Sequence, residues 1–545
     1  MPPTAKPDAS VLIPTHNRRD LLLRLLDSLA KQTHDPGSFE VVIADDGSTD
    51  DTAEALKRLE TPLQARVLTL GSVGQSAARN AAIEASRAPL CILLDDDVIA
   101  SPELVAAHLA AHRENGRIAG IGALAQLPYA GRGWYAQAFA RGWARHYARL
   151  EHEPARWPDC YGGNFSASRE ALLEVGGFAT DVPTSKDIEI GFRLEEHGYQ
   201  PTFIPRAAAV HDDQKPPDRL LADVVRQGAG YVGLAKRFPK MAPTLLGSFR
   251  LGSPRELALR RLLIALRFPP RVLVAIGAIV PSNRGQDLWY EFVRKLTFWR
   301  AARGQMSRRE WSQITRGLPI LMYHAFSAKR ERERYIMPSR SFVRQLRLLR
   351  ALRYEVVPLE EFVDALRTGR RLRRRAVVLT IDDGYEDNVS VAQRALRELG
   401  LPATLFLVTQ RLGADNDWSK QSAVAGRPLL SCEQVKQASA EGLEFGAHTR
   451  RHHPLPDTED AVLQEEVSGS REDLEALLGK PVGAFAYPYG FVDGRAMTAV
   501  RGAGFDVALS VDDRRATIVE DPMRVPRIEI CGTDSPLRFL RKLWL

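Results

Sequence analysis

Leu90-Cys91-Ile92-Leu93-Leu94-Asp95-Asp96-Asp97 decides how the first half of this 545-residue chain folds. Five apolar residues running straight into three carboxylates read as a buried strand with an acidic end. Carboxylates are costly to bury without compensation, so the strand is expected to deliver them to a sheet edge, facing a cation. In open α/β sheets that edge, at the carboxyl ends of the strands, is where ligands bind. Oxygen donors in this number suit Mg2+ or Mn2+ bridging substrate phosphates. A solvated acidic turn is the plainer alternative.

Working outward, Ser10–Thr15, Phe39–Ala44 and Arg66–Leu70 read as further strands. Arg19–Leu29, a segment from Thr52 and one opened by Gly74 carry helical spacing. Strands alternating with helices predict an α/β fold, a mostly parallel sheet with helices on both faces. Asp45 and Asp46 then share the edge of the acidic triplet.

A chain of 545 residues implies two to four domains. Apolar content of 44% and charge of 26% are those of a soluble globular protein. The net charge of +8 favours anionic partners such as phosphate-bearing substrates or anionic lipid. Neither zinc-finger spacing nor an aromatic RNA-binding signature is present, which argues against a nucleic-acid reader. Cys91, Cys160, Cys432 and Cys531 are far apart, so a disulfide framework is not expected and a reducing compartment is. With no signal-like start and no apolar run of membrane-spanning length, the expected location is cytoplasmic, peripheral at the inner face of the membrane.

Val11-Leu12-Ile13-Pro14-Thr15-His16-Asn17, Asp45-Asp46-Gly47-Ser48-Thr49-Asp50, Ala78-Arg79-Asn80 and Leu94-Asp95-Asp96-Asp97 together resemble the family 2 glycosyltransferases. The resemblance implies a nucleotide-diphospho-sugar transferase (Rossmann-like) fold and a nucleotide-sugar donor. It implies that Asp46 contacts the nucleoside and that Asp95 and Asp97 form a D-x-D motif gripping the diphosphate through Mg2+ or Mn2+, with Asp96 in the same donor site. Arg79 either adds charge at the diphosphate or sits in a surface ion pair. Tyr161–Ser166 looks like the acceptor-side strand. In Ser185-Lys186-Asp187, the resemblance makes Asp187 the general base of an inverting transfer, a role compatible with a helix N-cap. Lys186 replaces the family's usual Glu, and a neighbouring ammonium lowers a carboxylate pKa. His211 stands where the family carries a metal or diphosphate contact, or is structural.

Residues 216–316 are helical in pattern and basic. Arg250, Arg255, Arg260, Arg261, Arg267 and Arg271 flank apolar groups such as Leu262–Leu266. The run Arg271–Val280 is too short to span a bilayer, and Phe268-Pro269-Pro270 separates it from its neighbour. These helices either lie on anionic lipid or pack on the transferase core. Met306–Glu310 reads as a linker.

The second half repeats the opening theme. Ala376–Ile381 is a strand-like run ending in Asp382-Asp383-Gly384-Tyr385. Arg370–Arg375 before it reads as a solvated turn. In Gly446-Ala447-His448-Thr449-Arg450-Arg451-His452 two histidines lie four apart, and a helical turn would put both imidazoles on one face. Two His and one Asp make a three-ligand site with open positions, suited to Zn2+ or another divalent transition metal. With Leu401–Leu407 and Phe485-Ala486-Tyr487-Pro488-Tyr489-Gly490, these residues resemble the NodB-type polysaccharide deacetylases, which have an irregular (β/α) barrel. The resemblance implies hydrolysis of an acetamido C–N bond, with Asp383, His448 and His452 as metal ligands, Asp382 as general base and the Tyr489 N–H at the oxyanion. Two residues depart from the pattern. Ala486 stands where the family has an Arg that orients the base, and Arg527 is expected to replace it. The family's late His is absent, and His324 is a candidate proton donor or a structural residue.

The expected organisation is a catalytic domain at 1–215, a basic helical extension and linker at 216–316, and a deacetylase-like domain at 317–545. The expected function is bifunctional: metal-dependent inverting transfer from a nucleotide sugar, and metal-dependent N-deacetylation of an acetylated glycan. The expected partners are a nucleotide-diphospho-sugar, a glycan or lipid-linked acceptor and an anionic membrane, with no nucleic acid. The alternative keeps the transferase and makes the second half a non-catalytic glycan-binding module.

Overall fold

The computed structural model describes residues 6–544 apart from 128–132, 183, 213–214, 248–253, 330–332, 371, 374, 419–422 and 457, with the side chains of 254, 255 and 257 also outside it. Arg250, Arg371, Arg374 and the Arg255 side chain therefore lie outside the described residues. The chain forms two compact units, Met1–Leu234 with Gly252–Gln305, and Ala235–Leu251 with Met306–Leu545.

The first unit is built on β1 (Ala9–Thr15), β2 (Glu40–Asp45), β3 (Gln64–Thr69), β4 (Leu90–Leu94), β5 (Val98–Ala100), β6 (Ile118–Gln126), β7 (Asn164–Ser168) and β8 (Gln200–His211). They form one sheet in the order β3-β2-β1-β4-β7-β6-β8-β5. β3, β2, β1 and β4 run parallel. β1, β2 and β4 are buried along their whole length, as central parallel strands with both faces covered must be. Alternate residues of β4 feed two cores: Cys91 and Leu93 join one face, Leu90, Ile92 and Leu94 the other. Beyond β4 the direction reverses, because β7 pairs antiparallel with both β4 and β6. Leu94 therefore faces Asn164, and the acidic triplet begins beside β7.

Helices Pro254–Ala265, Pro270–Gly277 and Asn283–Gly304 belong to this unit. The break at Phe268-Pro269-Pro270 falls between the first two. Arg260, read from sequence as part of a basic surface, is instead 0% exposed and paired with Glu256 one turn earlier. Met306–Glu310, read as a linker, begins helix Arg308–Arg316. Ser307 accepts from the Glu310 N–H and the Glu310 carboxylate accepts from the Ser307 N–H, a reciprocal cap.

The second unit is a barrel. Its strands are β9 (Ile320–Tyr323), β10 (Ala325–Ser327), β11 (Ile336–Pro338), β12 (Glu355–Val356), β13 (Ala376–Ile381), β14 (Thr404–Leu407), β15 (Glu444–Ala447), β16 (Ala484–Ala486), β17 (Val507–Val511) and β18 (Val525–Glu529). β13 to β18 follow one another in parallel, and β9 closes the ring by pairing with both β18 and β13. β12 adds outside β13, and β10 pairs with β11 apart from the ring. Seven parallel strands thus point their carboxyl ends to one rim.

One buried chain of polar groups fixes β7 in the first unit. Asn164 donates its amide to the carbonyls of Ala123 and Ala207, so its Oδ1 must accept from His108 Nε2 at 2.9 Å. His108 Nδ1 then accepts from Ser166 Oγ at 2.8 Å, and Ser166 accepts from His112 Nε2 at 2.8 Å. Burial, partly offset by the Asn164 bond, pushes the His108 imidazole down to about 4 from 6.5. A base with a depressed folded pKa is neutral in the folded state while the unfolded chain still takes up a proton. The stability it contributes is present above pH 6.5 and is lost as pH falls toward 4. Measured as the difference between wild type and His108→Gln in denaturant titrations, the His108 contribution to the stability of the first unit is expected to fall across that window by up to about 1.4 kcal/mol per pH unit.

Candidate active sites

The first site lies at the carboxyl ends of β1, β2 and β4, in a cavity of about 420 Å3. Asp96 and Asp97 are buried, which excludes the solvated turn. The three carboxylates fan apart rather than converge. Asp95 accepts from Arg79 at 2.6 Å. Asp96 accepts from Thr15 Oγ1 at 2.8 Å and from Arg18 at 3.1 Å. Asp97 accepts from Arg18 at 2.6 Å and meets His211 Nε2 at 2.9 Å. Burial, only partly offset by Arg18 and Thr15, pushes Asp96 up to about 6. Burial works against Asp97 too, but His211 and Arg18 hold its carboxyl down to about 2. The same contact outweighs burial at His211 and raises its pKa.

Arg79 is the hub. Its guanidinium is 2% exposed and bridges Asp95 and Asp187, the latter at 2.5 Å. It is thus no surface ion pair, and the cation paired with Asp187 is Arg79 rather than Lys186. Burial and the nearby Arg79 charge instead lower the pKa of the Lys186 ammonium. The N-cap of helix Lys186–Glu196 is Ser185, in the left-handed region at φ 60°, and Asp187 lies inside the first turn. Its carboxylate is held by Arg79 behind the residues that line the cavity and does not line it itself. The backbone closes tightly over this pair: a Cβ at Gly162 would strike both Asp187 and Arg79. Asp46 lines the same cavity with its carboxylate held by the N–H groups of Val73 at 2.5 Å and Gly74 at 2.8 Å. Arg18, which links two of the three carboxylates, was not singled out from sequence; its only local signal is its place just after β1.

Asp97 and His211 suit a divalent ion as a two-donor site that leaves positions for phosphate oxygens. Asp95 faces the same cavity from the Arg79 side.

The second site occupies the barrel rim, in a cavity of about 310 Å3. β13 delivers Asp382 and Asp383. Arg527, on β18 and 0% exposed, donates from Nη1 to Asp382 Oδ1 at 2.6 Å and from Nη2 to Oδ2 at 2.7 Å. It also donates to the Ser510 carbonyl and to Thr380 Oγ1. Burial opposes the charge, yet Arg527 holds the Asp382 carboxyl below its ordinary range. Asp383 turns the other way. Its Oδ1 lies 3.5 Å from His448 Nε2 and 3.3 Å from His452 Nε2, and the ligand atoms of the three residues all fall within 4.8 Å of one another. His448 Nδ1 is 2.7 Å from the Ala486 carbonyl, which fixes the proton there and leaves Nε2 bare toward the cluster. Burial pushes the His448 pKa down to about 4. Two imidazoles with one carboxylate, their ligand atoms within 4.8 Å of one another, fit a divalent transition metal.

The two histidines do not share a helical turn. They follow β15 in an irregular loop where Thr449 and His452 adopt φ 64° and 63°. The loop is pinned from behind: the Arg451 N–H donates to buried Glu466, and Arg450 pairs with Asp473. Asp383 at φ 77° and Tyr489 at φ 58° are also left-handed, so three non-glycine residues in costly backbone states line one cavity, with Thr449 a fourth in the loop behind it. Glycine or asparagine would have marked such positions in sequence; none stands there. Tyr489 meets the His452 ring edge-on at 4.6 Å, Trp418 stacks on its face at 4.7 Å, and His324 lines the same cavity.

Both sites lie in or beside regions that match known protein families. A family profile described as glycosyl transferase family 2 matches residues 10–176, and one described as polysaccharide deacetylase matches residues 369–508. The chain therefore joins a family 2 glycosyltransferase domain to a polysaccharide deacetylase domain. It is 44% identical over 108 residues to validoxylamine A glucosyltransferase of Streptomyces hygroscopicus subsp. limoneus, covering 19% of this chain and 24% of that protein. It is 26% identical over 227 residues to poly-beta-1,6-N-acetyl-D-glucosamine N-deacetylase of Staphylococcus epidermidis, covering 40% and 75%. It is 22% identical over 213 residues to putative polysaccharide deacetylase YxkH of Bacillus subtilis, covering 39% and 71%. The chain thus spans about a quarter of the length of the glucosyltransferase and about three quarters of the deacetylases it matches.

Removing Arg527 strands a buried carboxylate. Arg527→Met is expected to destabilise the second unit by about 3–5 kcal/mol in denaturant unfolding. Arg527→Met combined with Asp382→Leu is expected to recover much of that loss.

Proposed function

We propose that the first unit transfers a sugar, with inversion, from a nucleotide-diphospho-sugar to a glycan or lipid-linked acceptor, and that the second unit removes an acetyl group from an N-acetylated sugar. The observation that carries this reading is the pairing, at one rim, of a clamped carboxylate with a buried Asp-His-His cluster. A glycan-binding module has no need of either.

In the second unit, Asp382 accepts the proton of the water that attacks the acetyl carbonyl. Arg527 fixes its plane and keeps it ionised, while each carboxylate oxygen retains a lone pair beyond its guanidinium bond. The C–N bond breaks, acetate leaves, and the amine nitrogen takes a proton, with His324 the candidate donor. The Tyr489 N–H is the candidate donor to the oxyanion. Asp383, His448 and His452 would hold Zn2+ or a similar ion, which supplies Lewis acidity toward the carbonyl. The printed substrate of the Staphylococcus relative makes an N-acetylglucosamine glycan the first choice.

In the first unit, Asp187 accepts the proton of the acceptor hydroxyl as its oxygen bonds to the anomeric carbon and the nucleoside diphosphate leaves. Arg79 positions Asp187 and Asp95 relative to each other. Asp97 and His211 would hold Mg2+ or Mn2+, which neutralises the departing diphosphate. Asp46 and Asp96 shape the donor cavity, and basic helices in the same unit suit an acceptor carried at an anionic lipid surface.

Acetate release from N-acetylglucosamine oligomers by the full chain supplied with Zn2+ or Co2+ is expected to fall roughly 10²–10⁴-fold in Asp382→Asn, and to vanish in His448→Ala or on chelation. Release unaffected by Asp382→Asn would refute the hydrolytic role. Sugar transfer is expected to be lost in Asp97→Ala and on chelation, with Mg2+ or Mn2+ restoring it only in the wild type.

A further inference from the structure

Fifteen large apolar side chains are exposed among the described residues, and seven of them lie within residues 259–288. On helix Pro254–Ala265, Leu259 and Leu262 are 46% and 54% exposed, and Leu266 follows just past its end at 65%. Spaced three and four apart, they share one face. The buried face carries Arg260 and Ile264 instead. This helix has turned an arginine inward and leucines outward, the reverse of the arrangement water favours.

Helix Pro270–Gly277 does the same with two apolar faces. Leu273 and Gly277 pack inward, where a Cβ on Gly277 would strike the Trp134 ring. The Trp134 and Trp289 indoles donate to the carbonyls of Val274 and Leu273 at 2.9 and 2.8 Å. The helix is therefore anchored, and its outward Val272, Ile276 and, just beyond, Ile279 stand in water by construction, Ile279 at 83% exposure. Leu259, Val280 and Leu288 line one shallow groove of about 340 Å3, which joins the first helix to Asn283–Gly304 in a continuous apolar surface.

The rim is cationic. Residues 254–305 hold ten Lys and Arg against three Asp and Glu, an excess close to the net charge of the entire chain. Exposed Arg267 and Arg284 flank the apolar face, and exposed Arg271 pairs there with Asp218. No helix among the described residues is long and apolar enough to cross a membrane. A protein partner would call for aromatic anchors in a mixed polar rim. Here the exposed large side chains are aliphatic, with Trp289 and Phe292 half-buried in the groove, and the exposed arginines beside them outnumber the acids.

We propose that the outward faces of helices 254–265 and 270–277, with Ile279 and Leu288, dock in the interface of an anionic bilayer, the aliphatic side chains entering the acyl boundary and the arginines meeting lipid phosphates. This deepens the reading of a lipid-carried acceptor. Vesicle binding is measured without either enzymatic activity, so failure of one leaves the other standing.

Flotation of the full chain at physiological salt tests it, with phosphatidylcholine vesicles and with vesicles doped with phosphatidylglycerol. Binding is expected to the doped vesicles, weakened about tenfold or more by Arg267→Gln/Arg284→Gln and likewise by Leu266→Ser/Ile279→Ser. Both variants change exposed side chains, and an unchanged thermal transition confirms that they fold. No binding to doped vesicles, or binding indifferent to both variants, would overturn the proposal. So would self-association in sedimentation that Leu266→Ser/Ile279→Ser abolishes, since that would assign the face to a second copy of the chain.

Discussion

A parallel strand that ends in carboxylates must find counter-charge at the sheet edge, and both sites of this protein are organised by how it is found. In the barrel the answer is a single fork: Arg527 takes both oxygens of Asp382 and leaves Asp383 free for the histidines. In the open sheet the answer is distributed. Arg79 serves Asp95 and Asp187, Arg18 serves Asp96 and Asp97, and His211 takes the remaining face of Asp97. Charges buried without such partners would cost several kcal/mol each. The pairing therefore belongs to the fold as much as to the chemistry.

The two arrangements separate functions differently. The barrel gives adjacent residues different tasks, since Asp382 and Asp383 point to different partners one peptide apart. Asp383 adopts a positive φ where the two diverge. The sheet divides three consecutive carboxylates among three sets of partners, and the turn after β4 opens them like a fan. Asp187 and Asp95 then share one guanidinium, so the charge on either is felt by the other.

The strands and helices of both halves were legible because each rests on local periodicity. The helix at Arg19–Leu29 and the strand at Ala376–Ile381 match their sequence readings residue for residue. The company the side chains keep was less legible. Arg79 meets partners 16 and 108 residues away, and no local pattern encodes such pairs. Arg527 was reached only because a missing arginine at Ala486 left a gap to fill. The histidine pair was assigned a helical turn because a spacing of four is the helix's own; the loop reaches a similar convergence through two left-handed residues. Arg260 defeated amphipathic reasoning outright, since its helix is inverted.

That loop has a mechanical consequence. A helical pair of ligands would move as one rigid body. Here His448 hangs from the end of β15, its N–H donating to the Leu407 carbonyl of β14, whereas His452 sits beyond a segment tethered to Glu466 on helix Asp460–Leu478. The two imidazoles therefore ride on separate supports. Loosening of that outer helix would first release His452, leaving His448 and Asp383 seated on the barrel, so the site would come apart one ligand at a time from its outer edge.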